Sequence, residues 1–168
     1  VALEFNGISH AVMLATPADL RDFAIGFSLT EGIVDSAAQV YACDVEETVQ
    51  GTILHLGIAA ACFSRLKDRR RSMAGRTGCG LCGTDSLPQA VRPAPSVQQL
   101  QKFSSAAVVR GMRSLAQGQH LQALTGSTHA AAWCDAEGQV VLVREDVGRH
   151  NALDKLVGAM VLAQMSAS

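Results

Sequence analysis

Residues 75–83 limit the fold of this chain more than any other stretch, because they contain four glycines and two cysteines but no apolar period. Glycine-rich sequence without helical or strand periodicity is typical of an ordered loop. A stiff connector with two prolines follows at residues 92–95. We therefore expect three parts, at residues 1–75, 76–95 and 96–168.

Apolar periodicity predicts helices and strands on both sides of this loop. Before it we expect a hairpin at residues 1–15 that turns at Asn6-Gly7, a helix capped by Thr16 that closes near Gly32, strands at residues 40–49 and 52–57, and a helix at residues 59–73. After it we expect a helical region in two pieces at residues 96–124, a hairpin with strands at residues 130–134 and 139–144, and a helix at residues 148–164. Helices and strands are therefore expected both before and after the loop.

The composition excludes several protein classes. A formal net charge of -1 argues against a nucleic-acid partner. No stretch approaches the roughly 18 apolar residues of a membrane-spanning helix, and residues 1–15 lack the pattern of a secretory signal. An odd number of five cysteines argues against a disulfide framework, so Cys43, Cys62 and Cys134 are expected to be buried thiols. We expect a cytoplasmic protein without a membrane partner.

Cys79 and Cys82 are the candidate reactive residues. They stand three positions apart in the glycine-rich loop, with Arg76 nearby. Glycines allow backbone N–H groups to turn toward sulfur, and the arginine adds positive charge. Both features favour the thiolate, which is the reactive form of cysteine.

Three kinds of chemistry fit this pair. Half of a structural zinc site is one, although zinc needs about four ligands and no second cysteine pair is present. A thioredoxin-like redox pair is another, although that motif normally opens a helix. The third is a persulfide carrier, in which a thiolate accepts sulfane sulfur and passes it on. The spacing alone leaves all three open.

Residues 144–155 concentrate polar side chains at the beginning of the last helix. A helix N-terminus offers free N–H groups and partial positive charge, so Arg149 beside it makes a plausible phosphate site. The structural alternative makes Asp146 a cap, Arg149 a surface charge and His150 the partner of a carboxylate.

Two further features have a functional and a structural interpretation. His129 follows a turn of small residues at residues 125–128. It either packs at the beginning of the next strand or lines a space for the flat ring of a ligand. The basic run at residues 65–71 is either a solvated helix face or a surface that attracts an anionic cofactor.

Taken together, residues 75–83, the Thr-Gly-x-x-His-Ala-Ala stretch at residues 125–131 and the run at residues 144–155 resemble the formate dehydrogenase accessory family FdhD/NarQ. The Gly-Phe-x-Leu-Thr-Glu-Gly sequence at residues 26–32 is similar to an early helix of that family. The resemblance covers nearly the whole chain. Asp146-Val147-Gly148-Arg149-His150-Asn151-Ala152 is its most specific part.

The resemblance implies a sulfurtransferase that takes sulfur from a cysteine desulfurase. The sulfur goes to the molybdenum bis-guanine dinucleotide cofactor, which is then inserted into the formate dehydrogenase apoenzyme. Cys79 and Cys82 match the sulfur-transfer pair. The candidates for the guanine-nucleotide end, or for a GDP-like nucleotide, are His129, Arg144, Asp146, Arg149, His150 and Asn151. No metal or permanently bound cofactor is expected.

The resemblance also implies a homodimer and an α/β fold of the cytidine-deaminase-like type. That fold has a mixed sheet with flanking helices, and here a small N-terminal hairpin and helix region is added to it. Residues 96–168 would form the deaminase-like core, and family members usually continue beyond its last helix. Deaminase chemistry is disfavoured because Ala131 stands where a Glu would follow the zinc-binding His. The alternative function is a non-catalytic chaperone that binds the molybdenum cofactor.

Overall fold

The computed structural model describes residues 1–71 and 102–165. The elements of the first range are β1 (Ala2–Phe5), β2 (Ile8–Val12), α1 (Leu20–Thr30), a short 3-10 helix (Ala37–Gln39), β3 (Val40–Thr48), β4 (Gly51–Ile58) and α2 (Ala60–Arg71). Those of the second are α3 (Ser105–Gly118), α4 (His120–Thr125), β5 (His129–Cys134), β6 (Val140–Asp146) and α5 (Arg149–Leu162). The predicted cysteine loop and the connector at residues 92–95 lie outside the described residues.

The first range forms a four-stranded mixed sheet with the order β2-β1-β4-β3. Strand β1 runs parallel to β4, whereas the β1–β2 and β3–β4 pairs are antiparallel. The first hairpin turns at Asn6 and Gly7, whose φ values are 48° and 78°. Asn and Gly tolerate this left-handed conformation, which a tight hairpin turn requires, so the predicted turn is confirmed.

One face of this sheet and helix α1 enclose an apolar core. Alternate residues of β4 point into it because successive side chains of a strand lie on opposite faces. Removing these side chains from water is the main stabilising contribution in this part of the chain. The buried members are Leu3, Phe5, Phe23, Ala24, Phe27, Ile33, Val34, Leu54, Leu56, Ile58, Cys62 and Leu66.

The second range contains an antiparallel hairpin of β5 and β6, and helix α5 packs against both of its strands. With the four-stranded sheet and its helices, this hairpin confirms the expected mixed α/β class. The cytidine-deaminase-like arrangement stays a prediction. Across residues 1–71 and 102–165, no helix has both the length and the apolar character needed to cross a bilayer.

Helices α1 and α5 join the two ranges through a contact between their backbones. A Cβ atom on Gly26 would collide with the carbonyl group of Asp154, and one on Gly158 would collide with the carbonyl group of Asp22. Both glycines are therefore required by close approach rather than by an unusual φ. The contact holds the first and last helices of the described chain at a fixed distance.

The predicted cap of α1 is wrong. Asp19, with a φ of 53°, precedes the helix, which begins at Leu20. Thr16 instead accepts a hydrogen bond from the N–H of Val147 at 3.0 Å through its hydroxyl. A tertiary donor, 131 positions away in the sequence, therefore replaces the local cap that the Thr-Pro pair indicates.

The three cysteines of the described ranges are free thiols. Cys62 is fully buried, as predicted, whereas Cys43 and Cys134 are only partly buried. Burial raises the pKa of the Cys43 thiol, so it stays protonated at neutral pH and is a poor nucleophile.

Replacing Gly26 with Ala tests the contact between the helices. We expect G26A to lower the free energy of unfolding by about 2 kcal/mol or more, because the backbones must separate to admit the methyl group. Urea denaturation followed by circular dichroism measures this. The matched control is G118A, whose added Cβ meets only a Val143 side chain that can adjust. Equal losses in both variants would contradict the prediction.

Asp154 supplies a second test of the same interface. Its Oδ1 accepts a hydrogen bond from Thr30 Oγ1 at 2.7 Å. Burial raises the pKa of this carboxyl to about 6, with a further contribution from Glu31, while the bond from Thr30 and the charge of His150 oppose the rise. Its folded-state pKa lies above the unfolded value, so its ionisation disfavours the folded state above pH 6. That cost disappears as the pH falls from about 6 toward 3.8.

We expect D154N to raise the Tm at pH 7.5, because the amide carries no charge and its oxygen still accepts from Thr30. The variant should also gain less stability than the wild type when the pH is lowered from 7.5 to 5. Thermal unfolding at several pH values measures both effects. The control is D44N, at an exposed position of β3. An unchanged pH profile in D154N would disprove the assignment.

Candidate functional site

The beginning of α5 lies directly after strand β6. Asp146 ends the strand, and Gly148 is the residue that precedes the helix. Because Gly148 has no side chain, it offers no side-chain acceptor to the N–H groups of the first turn. Arg149 and His150 are exposed there. This end of α5 combines the partial positive charge of a helix N-terminus with an accessible guanidinium group.

Asp146 lies under this helix end and is fully buried. Its Oδ2 lies 2.7 Å from Nζ of Lys155, which is also fully buried, and accepts a hydrogen bond from the Thr16 N–H at 2.9 Å. Its Oδ1 accepts from the Gly148 N–H at 2.8 Å and from Asn151 Nδ2 at 3.1 Å. The carboxylate is thus paired and hydrogen-bonded on both oxygens, as a buried charge requires.

The same cluster binds the segment that leads from β2 to α1. Asn151 donates from Nδ2 to the Leu14 carbonyl oxygen at 2.9 Å. Lys155 donates from Nζ to the Thr16 carbonyl oxygen at 3.0 Å. Asn151 and Lys155 are one helical turn apart on α5, so both reach the same stretch of backbone. We call Asp146, Asn151 and Lys155 the anchor cluster.

Arg144 contacts the other end of that segment. Its Nε lies 2.6 Å from Asp22 Oδ2 and 3.7 Å from Asp19 Oδ2, and its NH1 group donates to the Val143 carbonyl oxygen. The side chain is 22% exposed. Its carboxylate partners place the guanidinium against the beginning of α1, so Arg144 fixes this helix relative to β6.

His129 begins β5, is exposed, and lies opposite Asp146 in the hairpin register. Thr128 precedes it and donates from its hydroxyl to Glu145 Oε1 at 3.0 Å. Burial alone would raise the pKa of Glu145, but hydrogen bonds from two backbone N–H groups and from Thr128 lower it overall. The carboxylate is therefore charged at neutral pH.

The six residues predicted at the nucleotide site thus divide into two groups. Arg149, His150 and His129 are exposed and free to meet a ligand. The other three, which are Arg144, Asp146 and Asn151, contact groups of the chain itself. The side chains of Asp146 and Asn151 hydrogen-bond to one another, and His129 lies opposite Asp146 in the pairing of β5 with β6.

Lys155 and Glu145 belong to the run at residues 144–155 but were not among the six residues predicted at the nucleotide site. Lys155 lies four positions after Asn151, and this spacing could have placed both on one face of the helix. Glu145 gave no comparable signal, because its partners lie in α4 and in the loop that follows.

Cys79 and Cys82 lie outside the described residues, so their role stays a prediction. Residues 1–71 and 102–165 contain no group of three or more His, Cys, Asp or Glu side chains that could hold a metal ion.

An apolar groove of about 650 Å³ lies between α3 and β5. Its lining includes Phe103, Met112, Leu115, Trp133 and Cys134. None of the six predicted nucleotide-site residues lines it. The groove and the polar beginning of α5 are therefore two separate features.

The model of the FdhD/NarQ family matches residues 1–168. The sulfur carrier protein FdhD of Variovorax paradoxus is 60% identical over 168 residues, which are all of this chain and 60% of the relative. That of Bordetella petrii is 59% identical over 160 residues, which are 95% of this chain and 58% of the relative.

A solved structure described as a formate dehydrogenase accessory protein, from Desulfotalea psychrophila, has a TM-score of 0.62 and 20% sequence identity. The match covers 98% of this chain and 58% of that one. At this identity the likeness concerns the fold alone. The chain spans about 60% of the length of the curated relatives that it matches, and it belongs to the FdhD/NarQ family.

Proposed function

We propose that this chain is the larger part of a sulfur carrier that serves the maturation of formate dehydrogenase. The observation that carries the proposal is the 60% identity, over all 168 residues, to a relative named sulfur carrier protein FdhD. The description of the Desulfotalea psychrophila structure as a formate dehydrogenase accessory protein agrees with it. Cys79 and Cys82, in their glycine-rich surroundings, are the sulfur-carrying residues.

In the loading step, a thiolate of this pair attacks the outer sulfur of a persulfide on a cysteine desulfurase. A new S–S bond forms on the carrier, the S–S bond of the donor breaks, and the donor cysteine leaves as its thiolate. The carrier then passes the sulfur to the molybdenum bis-guanine dinucleotide cofactor, which is the substrate, before this cofactor enters formate dehydrogenase. The second thiol of the pair attacks the inner sulfur of the persulfide, so a disulfide forms between Cys79 and Cys82 and the outer sulfur leaves as hydrosulfide, which replaces an oxygen ligand of the substrate that leaves as water. Arg76 and the backbone N–H groups of the loop favour the charged persulfide.

The guanine-nucleotide end of the cofactor is proposed to bind at the beginning of α5. A phosphate there would meet N–H groups without a capping side chain and the exposed Arg149. His129 and His150 are exposed and complete the proposed contact surface. The anchor cluster and Arg144 would then act from inside, by holding the backbone that presents these groups.

The working protein is proposed to be a cytoplasmic homodimer that meets both the desulfurase and the formate dehydrogenase apoenzyme. The free thiols of Cys43, Cys62 and Cys134 are in keeping with a reducing compartment. The dimer follows from the family resemblance.

Mass spectrometry of the full-length protein tests the carrier chemistry. After incubation with a cysteine desulfurase and cysteine, we expect a gain of about one sulfur atom that a reductant removes. C79A, C82A or both should lose this gain. The matched control C134A should keep it, because Cys134 is a free thiol placed on β5.

An adduct that persists in the double variant C79A/C82A would overturn the assignment. If the double variant lost the adduct but still supported full maturation of formate dehydrogenase, the chain would be a non-catalytic chaperone of the cofactor. Loss of maturation together with loss of the adduct supports the carrier.

A further inference from the structure

Glu145 lies between two of the predicted site residues on β6, but its carboxylate reaches into a different element. The residue is only 7% exposed. Its Oε2 accepts a hydrogen bond from the Leu121 N–H and its Oε1 accepts one from the Gln122 N–H, each at 2.8 Å. These N–H groups belong to the first turn of α4, where helix geometry leaves them without partners inside the helix. A side chain from a distant strand therefore supplies the acceptor that a local cap would otherwise provide.

The loop between α4 and β5 is bound to the same carboxylate. Thr128 donates from its hydroxyl to Glu145 Oε1 at 3.0 Å, and its N–H donates to Gln122 Oε1 at 2.8 Å. Gln122 thus links the turn of α4 that Glu145 holds to the backbone of Thr128. Gly126 ends α4 with a φ of 65°, which turns the chain back toward the hairpin.

Both sets of contacts end immediately before His129. Thr128 is fixed by its N–H and by its hydroxyl, so the backbone that leads into β5 has little freedom. His129, the next residue, is exposed, and its backbone follows directly from this fixed position. Charge-assisted hydrogen bonds are stronger than neutral ones, so an ionised Glu145 holds this loop more firmly than an amide would.

We infer that Glu145 is a positioning residue that sets the place of His129 at the nucleotide end of the site, acting through Thr128 and the first turn of α4. The inference rests on the proposed function, because it assigns His129 to the binding of the guanine nucleotide. The carboxylate of Glu145 is occupied by donors of the chain itself, so it acts on His129 only through them. A carboxylate is required at this position because all three groups that point at it are donors.

Calorimetry with GDP as the probe tests this in the full-length protein. We expect E145Q to weaken GDP binding about tenfold, because its amide NH₂ would face an N–H donor. H129A should weaken binding by a similar factor. If Glu145 acts through His129, E145Q should cost little more in the H129A background, and the double-mutant cycle measures this coupling. E137Q is the matched control, because Glu137 is exposed in the hairpin turn between β5 and β6.

Thr128 provides variants that leave the buried carboxylate in place. T128V removes the hydroxyl at almost constant volume and should also weaken GDP binding. T128S keeps the hydroxyl and should bind GDP as the wild type does. Proton NMR of the His129 ring gives a readout without nucleotide. Its resonances should move in E145Q and T128V but not in T128S or E137Q, while thermal unfolding shows that all four variants are folded.

The outcomes separate the two proposals. If the wild type binds no GDP, the nucleotide end of the proposed function fails, and the inference fails with it. If the wild type binds GDP but E145Q and T128V bind equally well, only the inference is overturned. Additive losses in E145Q/H129A, or unmoved His129 resonances, would also overturn it.

Discussion

The buried ion pair between Asp146 and Lys155 is the interaction on which the arrangement of the site depends. Both side chains are fully buried, and the Nζ–Oδ2 distance is 2.7 Å. Removing one partner of such a pair typically costs about 3–5 kcal/mol, because the remaining charge is left without compensation. Here the remaining hydrogen-bonding capacity is used by Asn151 and by backbone groups of Thr16. Each added bond requires one particular placement of the backbone.

The anchor cluster and the glycine contact act on the same two helices. The cluster holds the segment before α1 against α5, and Gly26 and Gly158 let the helices themselves approach. Arg144 adds a third connection through its ion pair with Asp22. The first helix therefore has three independent constraints relative to the strand and helix that carry the proposed nucleotide end. A change in any one of them is resisted by the other two.

The elements that were predicted correctly depend on local chemistry. The turn at Asn6-Gly7 needs positive φ, which only a few residue types tolerate, and the apolar stripe of α1 follows the helical period. The cap at Thr16 was wrong because its hydroxyl binds the N–H of Val147, and no local pattern reveals a partner so distant in sequence. Local signals therefore define helices and strands, but not the polar contacts between them.

The same limit explains what the sequence revealed of the site. The run at residues 144–155 was recognised as a unit, but its members face in different directions. Successive side chains of β6 lie on opposite faces of the strand. Glu145 therefore points toward α4, whereas Asp146 contacts the segment before α1 and Arg144 contacts α1. The polar residues of this run therefore cannot be sorted by residue type alone into those that bind and those that support.

A pair of apolar residues could fill the volume of Asp146 and Lys155 with comparable stability, since the desolvation of two charges offsets much of their attraction. Apolar packing, however, lacks direction. The carboxylate and the ammonium group accept and donate only along certain directions, so they fix the turn between β6 and α5 as well as the segment at Thr16. A binding surface built from helix N–H groups needs this directional control, because displacement of the first turn would move every donor at once. The buried charges therefore contribute orientation where apolar side chains would contribute only stability.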